Sequence, residues 1–470
     1  MALKRYRIDG FSGLDQSMDE NRISPSCSPD AANVSTDGGR LSLAHGFIKL
    51  LPDPIPGTDR IRHLTYYRSS TAQYPVVIAG STVYAYKDMS WQSLYTIQGS
   101  LSGAEFDSVM AQIGTADCLI IADGIHPLIK YDGESVSQFG SEEGCSDMPI
   151  SYLAMYRGRL FAAGDGENPN RLYYSVLPGD GRSIDNWGYI EASPAVEGGH
   201  AEVGTSGGDP IIGIAALSNQ LLIFKRSSLF RLIGDRPSNF TIEHIDASYR
   251  SARQHAIAAY GDVLFFLTSS GLYYYNGVTA RPSADIFRIK KLMRDALIVS
   301  SHVVTVGDKL YFNIRQGRED MLVEYDILER KYLLHRGFSI GCMASVNGWL
   351  LFTNGSGYIY RFGIGYSYDG EMIDAYWTTP LTDLGDKGTI KSLRKLYLRG
   401  SGGKVNVTTL SGVHLNTYNR RMPSGEEEVL EIPLADEGRT IQLVISNDEG
   451  GALELVGGLE LLISERCGTE

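Results

Sequence analysis

Cysteine and tryptophan are scarce in this chain: five and four among 470 residues. Cys27, Cys118, Cys145, Cys342 and Cys467 are scattered, odd in number and free of any CxxC spacing. That argues against a disulfide framework or a zinc site, and it predicts assembly in a reducing compartment. Long apolar runs are also missing. One of the longest, IIGIAAL at 211–217, falls far short of the roughly 18 residues that span a bilayer, so no membrane insertion is expected. The opening MALKRYRIDGF carries Lys4, Arg5 and Arg7 with no apolar run behind them, unlike a signal peptide. A basic excess is absent too: 43 Lys and Arg stand against 55 Asp and Glu, a net charge of −12. A generally basic nucleic-acid binder is thereby excluded.

Glycine and tyrosine are plentiful, at 53 and 28 residues. With Val and Thr they favour short strands joined by tight turns. One pattern recurs: an apolar run, a Gly/Ser/Asp turn, then an apolar-aromatic run. Examples are PVVIAGSTVYAY from Pro75, DVLFFLTSSGLYYYNG from Asp262 and GWLLFTNGSGYIYRFG from Gly348. The seven copies start at 75, 118, 159, 220, 262, 309 and 348, so that five of six intervals lie near 43 residues. Each hairpin has flanking strand-like segments. Strand, hairpin, strand at that period is the four-stranded blade of a β-propeller. WD and kelch signatures are absent. Hairpins stacked in a sandwich or solenoid are the competing reading, which the regular spacing disfavours.

The predicted fold is therefore all-β: a propeller of about seven blades over 56–376, preceded by an extended N-terminal arm (1–55) and followed by a C-terminal β-sandwich (377–470). The blades are placed near 58–100, 104–140, 148–192, 211–246, 254–283, 300–337 and 338–376. Residues 43–50, LAHGFIKL, are apolar and precede the first blade. They are expected to pair with the last blade and close the ring. The polar arm 1–42 is expected to order only against a neighbouring molecule. The C-terminal segment alternates with period two, as in GKVNVTTLSG (403–412), and is expected to fold by itself. Gly-rich residues 176–210 read as a loop projecting from the third blade. Residues 284–298 read as the one helix, with Ile286, Ile289, Met293 and Leu297 on one face and Lys290, Lys291 and Arg294 on a solvated one.

Chemistry is sparse. There is no HExxH and no GxxxxGK[ST]. The nine histidines are dispersed, none within three to five residues of another His or Cys. GDGENPN (164–170) offers Asp165, Glu167 and Asn168 but lacks the full calcium-loop pattern, so it reads as a turn. STDGG (35–39) matches part of the sialidase Asp-box, with Ser42 where tryptophan belongs. Tyr273, Tyr274 and Tyr275 alternate across a strand and read as blade packing. No catalytic, cofactor-binding or metal residue is assigned; no cofactor and no enzymatic activity are expected.

The stretch FSGLDQSMDENRISPSCSPDAANVSTDGGRLSLAHGFIKL (11–50) resembles the opening of bacteriophage tail and head-completion proteins. The resemblance rests on Gly13-Leu14, Pro29-Asp30, Asn33-Val34, Gly38-Gly39 and Arg40 to Gly46. FKRSSLFRLIGD (224–235), SSGLYYYNG (269–277), VEYDILERKYLLHRG (323–337) and YWTTPLTDLG (376–385) are similar to segments of such proteins. The nearest architecture is the tail nozzle or hub of short-tailed phages, also called the packaged-DNA stabilisation protein. That resemblance implies a structural virion protein: a homo-oligomeric ring, hexameric, below the portal and adaptor rings and beside other tail proteins. The ring would continue the DNA channel, help retain packaged DNA and let viral DNA pass without sequence-specific binding. It would reside in the virion tail after assembly in the bacterial host cytoplasm. Channel-facing residues should then be neutral or acidic, with Lys290, Lys291 and Arg294 on subunit contacts or the outer surface. The alternative is a glycan-binding or glycan-cleaving propeller, a tail adhesin or hydrolase.

Overall fold

The computed structural model describes residues 3–57, 61–140, 148–179, 181–187, 197–204, 209–246, 252–412, 414–423, 428–448 and 452–467. Cys145, the blade start at Thr58 and part of the 176–210 segment lie outside them, as does the Cys467 side chain. Cys27, Cys118 and Cys342 are buried.

Seven four-stranded antiparallel sheets follow one another along the chain. Blades 1 to 6 begin with the inner strands Ile61–Arg68, Asp107–Ile113, Tyr152–Tyr156, Ile211–Leu217, Ile257–Tyr260 and Val303–Val306, and blade 7 with Met343–Val346. Inner strands of successive blades touch, blade 4 reaching blade 5 through the turn at Gln254–Ala256, and blade 7 returns to blade 1. This closed ring of sheets is a β-propeller. The second strand of each blade is almost wholly buried, for instance Val76, Val77 and Ile78 or Leu221, Leu222 and Ile223. Sheets packed on both faces require such two-sided apolar runs, each buried Leu or Ile contributing about 2 kcal/mol. The inner hairpins of blades 3 and 7 turn on paired left-handed residues, Arg157 (φ 51°) with Gly158 (φ 78°) and Asn347 (φ 51°) with Gly348 (φ 76°). That geometry matches the strand twist.

The outermost strand of blade 7 comes from the other end of the chain. Phe47–Lys49 pairs antiparallel with Ile359–Phe362. Here Gly46 is obligatory, because a Cβ would lie 1.9 Å from the Ser367 carbonyl oxygen.

Residues 377–467 form strands in two further sheets, one seven-stranded and one five-stranded. Their inward residues, including Leu393, Leu396, Val405, Val407, Leu443, Ile445, Leu459 and Leu461, belong to one core cluster. That cluster also contains Tyr311 and Leu322 of blade 6 and Phe352, Tyr360 and Phe362 of blade 7. The core of the C-terminal segment is therefore continuous with the propeller.

Four expectations need correction. The N-terminal segment is not an extended arm. Leu3–Ile8 pairs with Leu453–Cys467, Leu41–Leu43 pairs with the same long strand, and Ala31–Ala32 pairs with Tyr376–Thr378. Phe11, Leu14, Ile23, Val34 and Leu41 are buried, apolar residues dispersed among polar ones and thus invisible as a run. The C-terminal unit accordingly draws strands from both chain ends and does not begin at 377. Blade 3 extends beyond 192, since its outer strand is Gly199–Glu202. Part of the 176–210 segment is thus a strand, and Val176, Ile184 and Trp187 are buried rather than projecting. The helix at 284–298 shrinks to a 3-10 turn, Ile286–Ile289, and one α-turn, Lys290–Arg294. Leu297 is exposed and forms a bridge to Arg315 instead. Among the described residues, no helix is long and apolar enough to cross a membrane.

Candidate functional site

The start of each inner strand faces one mouth of the propeller, where polar groups from six blades converge. His63 (blade 1) bonds Ser108 Oγ (blade 2) through Nε2 at 2.8 Å. Its ring lies 5.9 Å from His255, in the turn leading into blade 5, and His255 stacks on His302 of blade 6 at 4.9 Å. Blades 1 and 5 are not neighbours in the ring, so this contact crosses the axis. Gln254 of the same turn ties in blades 4 and 3, with Oε1 accepting the Ile214 amide at 2.8 Å and Nε2 donating to the Leu153 carbonyl at 3.5 Å. Asp107 Oδ2 accepts the Leu153 amide at 2.8 Å and Oδ1 the Ser108 amide at 2.8 Å. Above them an ion pair joins Arg253 of the blade 5 turn to Glu105 of blade 2. Side chains bridge the axis at several levels.

Burial controls the charge of this plug. Desolvation, with His255 adding repulsion, holds the His63 imidazole down to about 3. His302 is likewise pushed well below the usual histidine range by burial, then by His255 and His63. Burial raises the Asp107 carboxyl, although His255 and its amide donors oppose the rise. Burial thus keeps the His63 and His302 imidazoles neutral in the folded protein.

Outside the plug the mouth opens into a cavity of about 900 Å³ bounded by Glu105, Tyr152, Asp165, Arg226 and Arg253. Its carboxylates are committed to structural bonds. Glu105 accepts the Tyr152 hydroxyl at 2.7 Å. Asp165 accepts Tyr173 OH at 2.6 Å, Asn168 Nδ2 at 2.9 Å and the Glu167 amide at 2.9 Å. Burial would raise the Asp165 carboxyl, but those donors hold it below the usual range. GDGENPN is thus a turn organised around Asp165. Tyr275 is fully buried with its hydroxyl on Gln220 Oε1 at 2.8 Å, and Tyr273 stacks on Phe266. The three tyrosines pack blades and make no open platform. Lys290, Lys291 and Arg294 are exposed, with Lys291 3.6 Å from Glu20. Asp37 of the STDGG turn bonds Lys331 at 2.9 Å. Among the described residues no group of three or more His, Cys, Asp or Glu is placed to hold a metal ion.

The pattern G-x-S-x-G occurs twice, at 204–208 and 337–341. Residues 205–208 lie outside the described ones. Ser339 stands in the loop before the inner strand of blade 7, without the strand-turn-helix that would present a nucleophile. The axial histidines have no local signature because 192 residues separate His63 from His255; only the blade register brings them together.

A second constellation joins the propeller to the C-terminal unit. Leu14 N donates to Tyr332 O at 2.8 Å, and a Cβ on Gly13 would lie 2.6 Å from that oxygen. Asp30 Oδ1 accepts Tyr376 OH at 3.0 Å. Asn33, at φ 59°, donates through Nδ2 to Asp374 O at 2.7 Å and Arg336 O at 3.2 Å. Nearby, Glu324 is buried between Lys309 at 2.6 Å and His335 at 3.1 Å. Burial opposes its ionisation, yet these two partners outweigh burial and hold the carboxyl down to about 2.

No family model matches this chain, and no curated protein matches it. Among solved structures it is similar to BamB from Moraxella catarrhalis, at 12% identity over 78% of this chain and 99% of that one, with a TM-score of 0.39. It is also similar to the Pan2 WD40 domain of Neurospora crassa, at 9% identity over 68% of this chain and 95% of that one, with a TM-score of 0.40. YCF48 bound to D1 peptide gives 9% identity over 67% and 94%, with a TM-score of 0.40. Likenesses this shallow carry no argument about function.

Proposed function

We propose that this chain is a non-catalytic structural subunit of a bacteriophage tail, of the nozzle or hub kind. It would assemble into a ring that continues the DNA channel and helps retain packaged DNA. One observation carries the reading: the residues that resemble tail proteins lie at the joint between propeller and C-terminal unit. There Gly13 leaves no room for a Cβ, Leu14 donates its amide to Tyr332, Asp30 accepts the Tyr376 hydroxyl and Asn33 bonds two carbonyls, while Gly46 lets the closing strand of blade 7 pass Ser367. A signature invested in architecture suits a protein whose task is to hold a shape under load.

The bridged axis adds a constraint. DNA would not thread a single propeller and would instead pass through the opening enclosed by several copies, so ring formation is part of the function. Portal and adaptor proteins are the proposed neighbours, and the two C-terminal sheets are read as a β-sandwich. The 900 Å³ mouth is the feature that favours the alternative, a glycan-binding propeller; the structural bonds on Glu105 and Asp165 weigh against glycan cleavage there. Negative-stain imaging of the purified protein, alone and with candidate portal and adaptor proteins, tests the proposal. Rings of uniform order are expected. A chain that stays monomeric with all such partners and cleaves a polysaccharide would reverse it.

A further inference from the structure

The seven-stranded sheet has two opposite edges of opposite charge. Along one edge, Leu3–Ile8 (LKRYRI) pairs, among the described residues, with the long strand Leu453–Cys467 alone. Along the other, Val429–Pro433 pairs, among the described residues, with Thr389–Gly402 alone, the strand on the far side of that long strand. On each edge strand every second residue turns its N–H and C=O away from the sheet, which leaves a template for one more strand. The first edge carries Lys4, Arg5 and Arg7, with Arg40 beside them. The second carries Glu428 and Glu431, with Glu437 beside them. These charges pair across their own sheet, Arg5 and Arg7 with Glu460 and Glu431 with Lys395. Arg5, Arg7 and Glu431 remain 61%, 62% and 45% exposed, and such exposed pairs hold their partners weakly. Each edge also presents one large apolar side chain to solvent, Leu3 at 61% and Val429 at 55%.

Charge on an edge strand ordinarily protects it from pairing, and it protects best when both edges carry the same sign. Here each edge repels its own kind and attracts the other. Two-fold pairing of like edges is disfavoured, and head-to-tail pairing is favoured. An interface of that kind is heterologous, and it closes into a ring when the rotation per subunit divides a full turn. We propose that the basic Leu3–Ile8 edge of one copy adds to the acidic Val429–Pro433 edge of the next, making the seven-stranded sheet continuous between neighbouring subunits. The proposal rests on the ring reading above and supplies its interface. The strands match in length, six residues against five, and Pro433 ends the register because it has no N–H to donate.

Charge reversal tests this on the full chain, with particle size read by light scattering and electron microscopy and folding read by thermal melting. One variant, Arg5→Glu with Arg7→Glu, has two acidic edges; another, Glu428→Lys with Glu431→Lys, has two basic ones. Each alone should lose the ring completely while still melting cooperatively, and an equimolar mixture should restore rings of alternating copies. Arg420→Glu with Arg421→Glu, on the exposed edge of the five-stranded sheet, should leave assembly unchanged. If the wild type forms rings and both edge variants do too, or if mixing the variants restores nothing, this interface is wrong and the ring reading stands. A wild type that remains monomeric overturns the ring reading itself.

Discussion

The Tyr368 hydroxyl donates to Asn33 Oδ1 at 2.9 Å, joining a left-handed residue of the N-terminal segment to the loop that leaves blade 7. The same oxygen accepts the Arg336 amide at 2.8 Å, so one buried carboxamide serves both its donors and its acceptors. Replacing Asn33 by Ala strands these groups and leaves a Cβ at positive φ without the side-chain bonds that offset its strain. A loss on the order of 3 kcal/mol is expected in denaturant unfolding. Asn33→Gly removes the bonds but relaxes the backbone, and should recover roughly 1 kcal/mol of that loss. Equal losses for the two variants would show that backbone strain plays no part.

Phe47 lies within 5.1 Å, ring centre to ring centre, of Phe338, Phe352, Tyr360 and Tyr368. It anchors the strand that completes blade 7, so Phe47→Ala should cost about 3–5 kcal/mol. Gly46→Ala should be comparably harmful, although it adds a single methyl group, because the Ser367 carbonyl already fills that space. Near-wild-type melting of Gly46→Ala would mean that the strand docks with slack.

The propeller was legible because each blade repeats a hairpin that is apolar on both faces, and seven copies near one period fit a ring of blades better than a sandwich or a solenoid. Sequence reading failed where residues act one at a time. Phe11, Leu14, Val34 and Leu41 are separated by polar residues, so the segment looks like a tail, yet each side chain enters a core. The helix expected over 284–298 stops early: Ile286, Ile289 and Met293 share a buried face, while Leu297, one turn further on, does not. The axial cluster of His63, His255 and His302 depends on which residue of each blade begins the inner strand, and period alone does not reveal that. The opposed charges of Leu3–Ile8 and Val429–Pro433 were equally unreadable, because opposite edges exist only after the sheet is assembled.

Acid should loosen the propeller before it disrupts the joint. His63 is held to about 3 in the folded protein against an ordinary 6.5. Between those values the unfolded chain takes up a proton that the native chain refuses, so stability falls as pH drops from 6.5 toward 3. At pH 4.5 the loss from this one group is about 2–3 kcal/mol. Glu324 behaves differently: its carboxyl is held to about 2 against 4.5, so its contribution persists above pH 4.5 and fades only as pH falls toward 2. His63→Gln should therefore flatten the stability profile between pH 6.5 and 4.5. Parallel profiles for His63→Gln and wild type would rule out His63 as the acid-sensitive group.

The long strand Leu453–Cys467 needs both ends of the chain. Leu3–Ile8 and Leu41–Leu43 lie along one side of it and Thr389–Gly402 along the other. Trp377 is fully buried with Phe11 edge-on at 4.9 Å. A fragment of residues 377–470 would lose three strands from one sheet (Leu3–Ile8, Val34–Ser35 and Leu41–Leu43), the Ala31–Ala32 pairing from the other, and the Phe11 cover of its largest core side chain. It should show no cooperative thermal transition, because the exposed apolar surface and open edge outweigh what the remaining strands bury. Deleting residues 1–42 from the full chain removes the same support and should lower its melting temperature by several degrees or more. Supplying residues 3–46 through a flexible linker to the fragment should restore part of the cooperativity, though not all, since Tyr311, Phe352 and Phe362 of the propeller would still be missing from the shared core. A sharp transition in the bare fragment would mean instead that the N-terminal strands are added to a core already complete, and that deleting them costs little beyond their own hydrogen bonds.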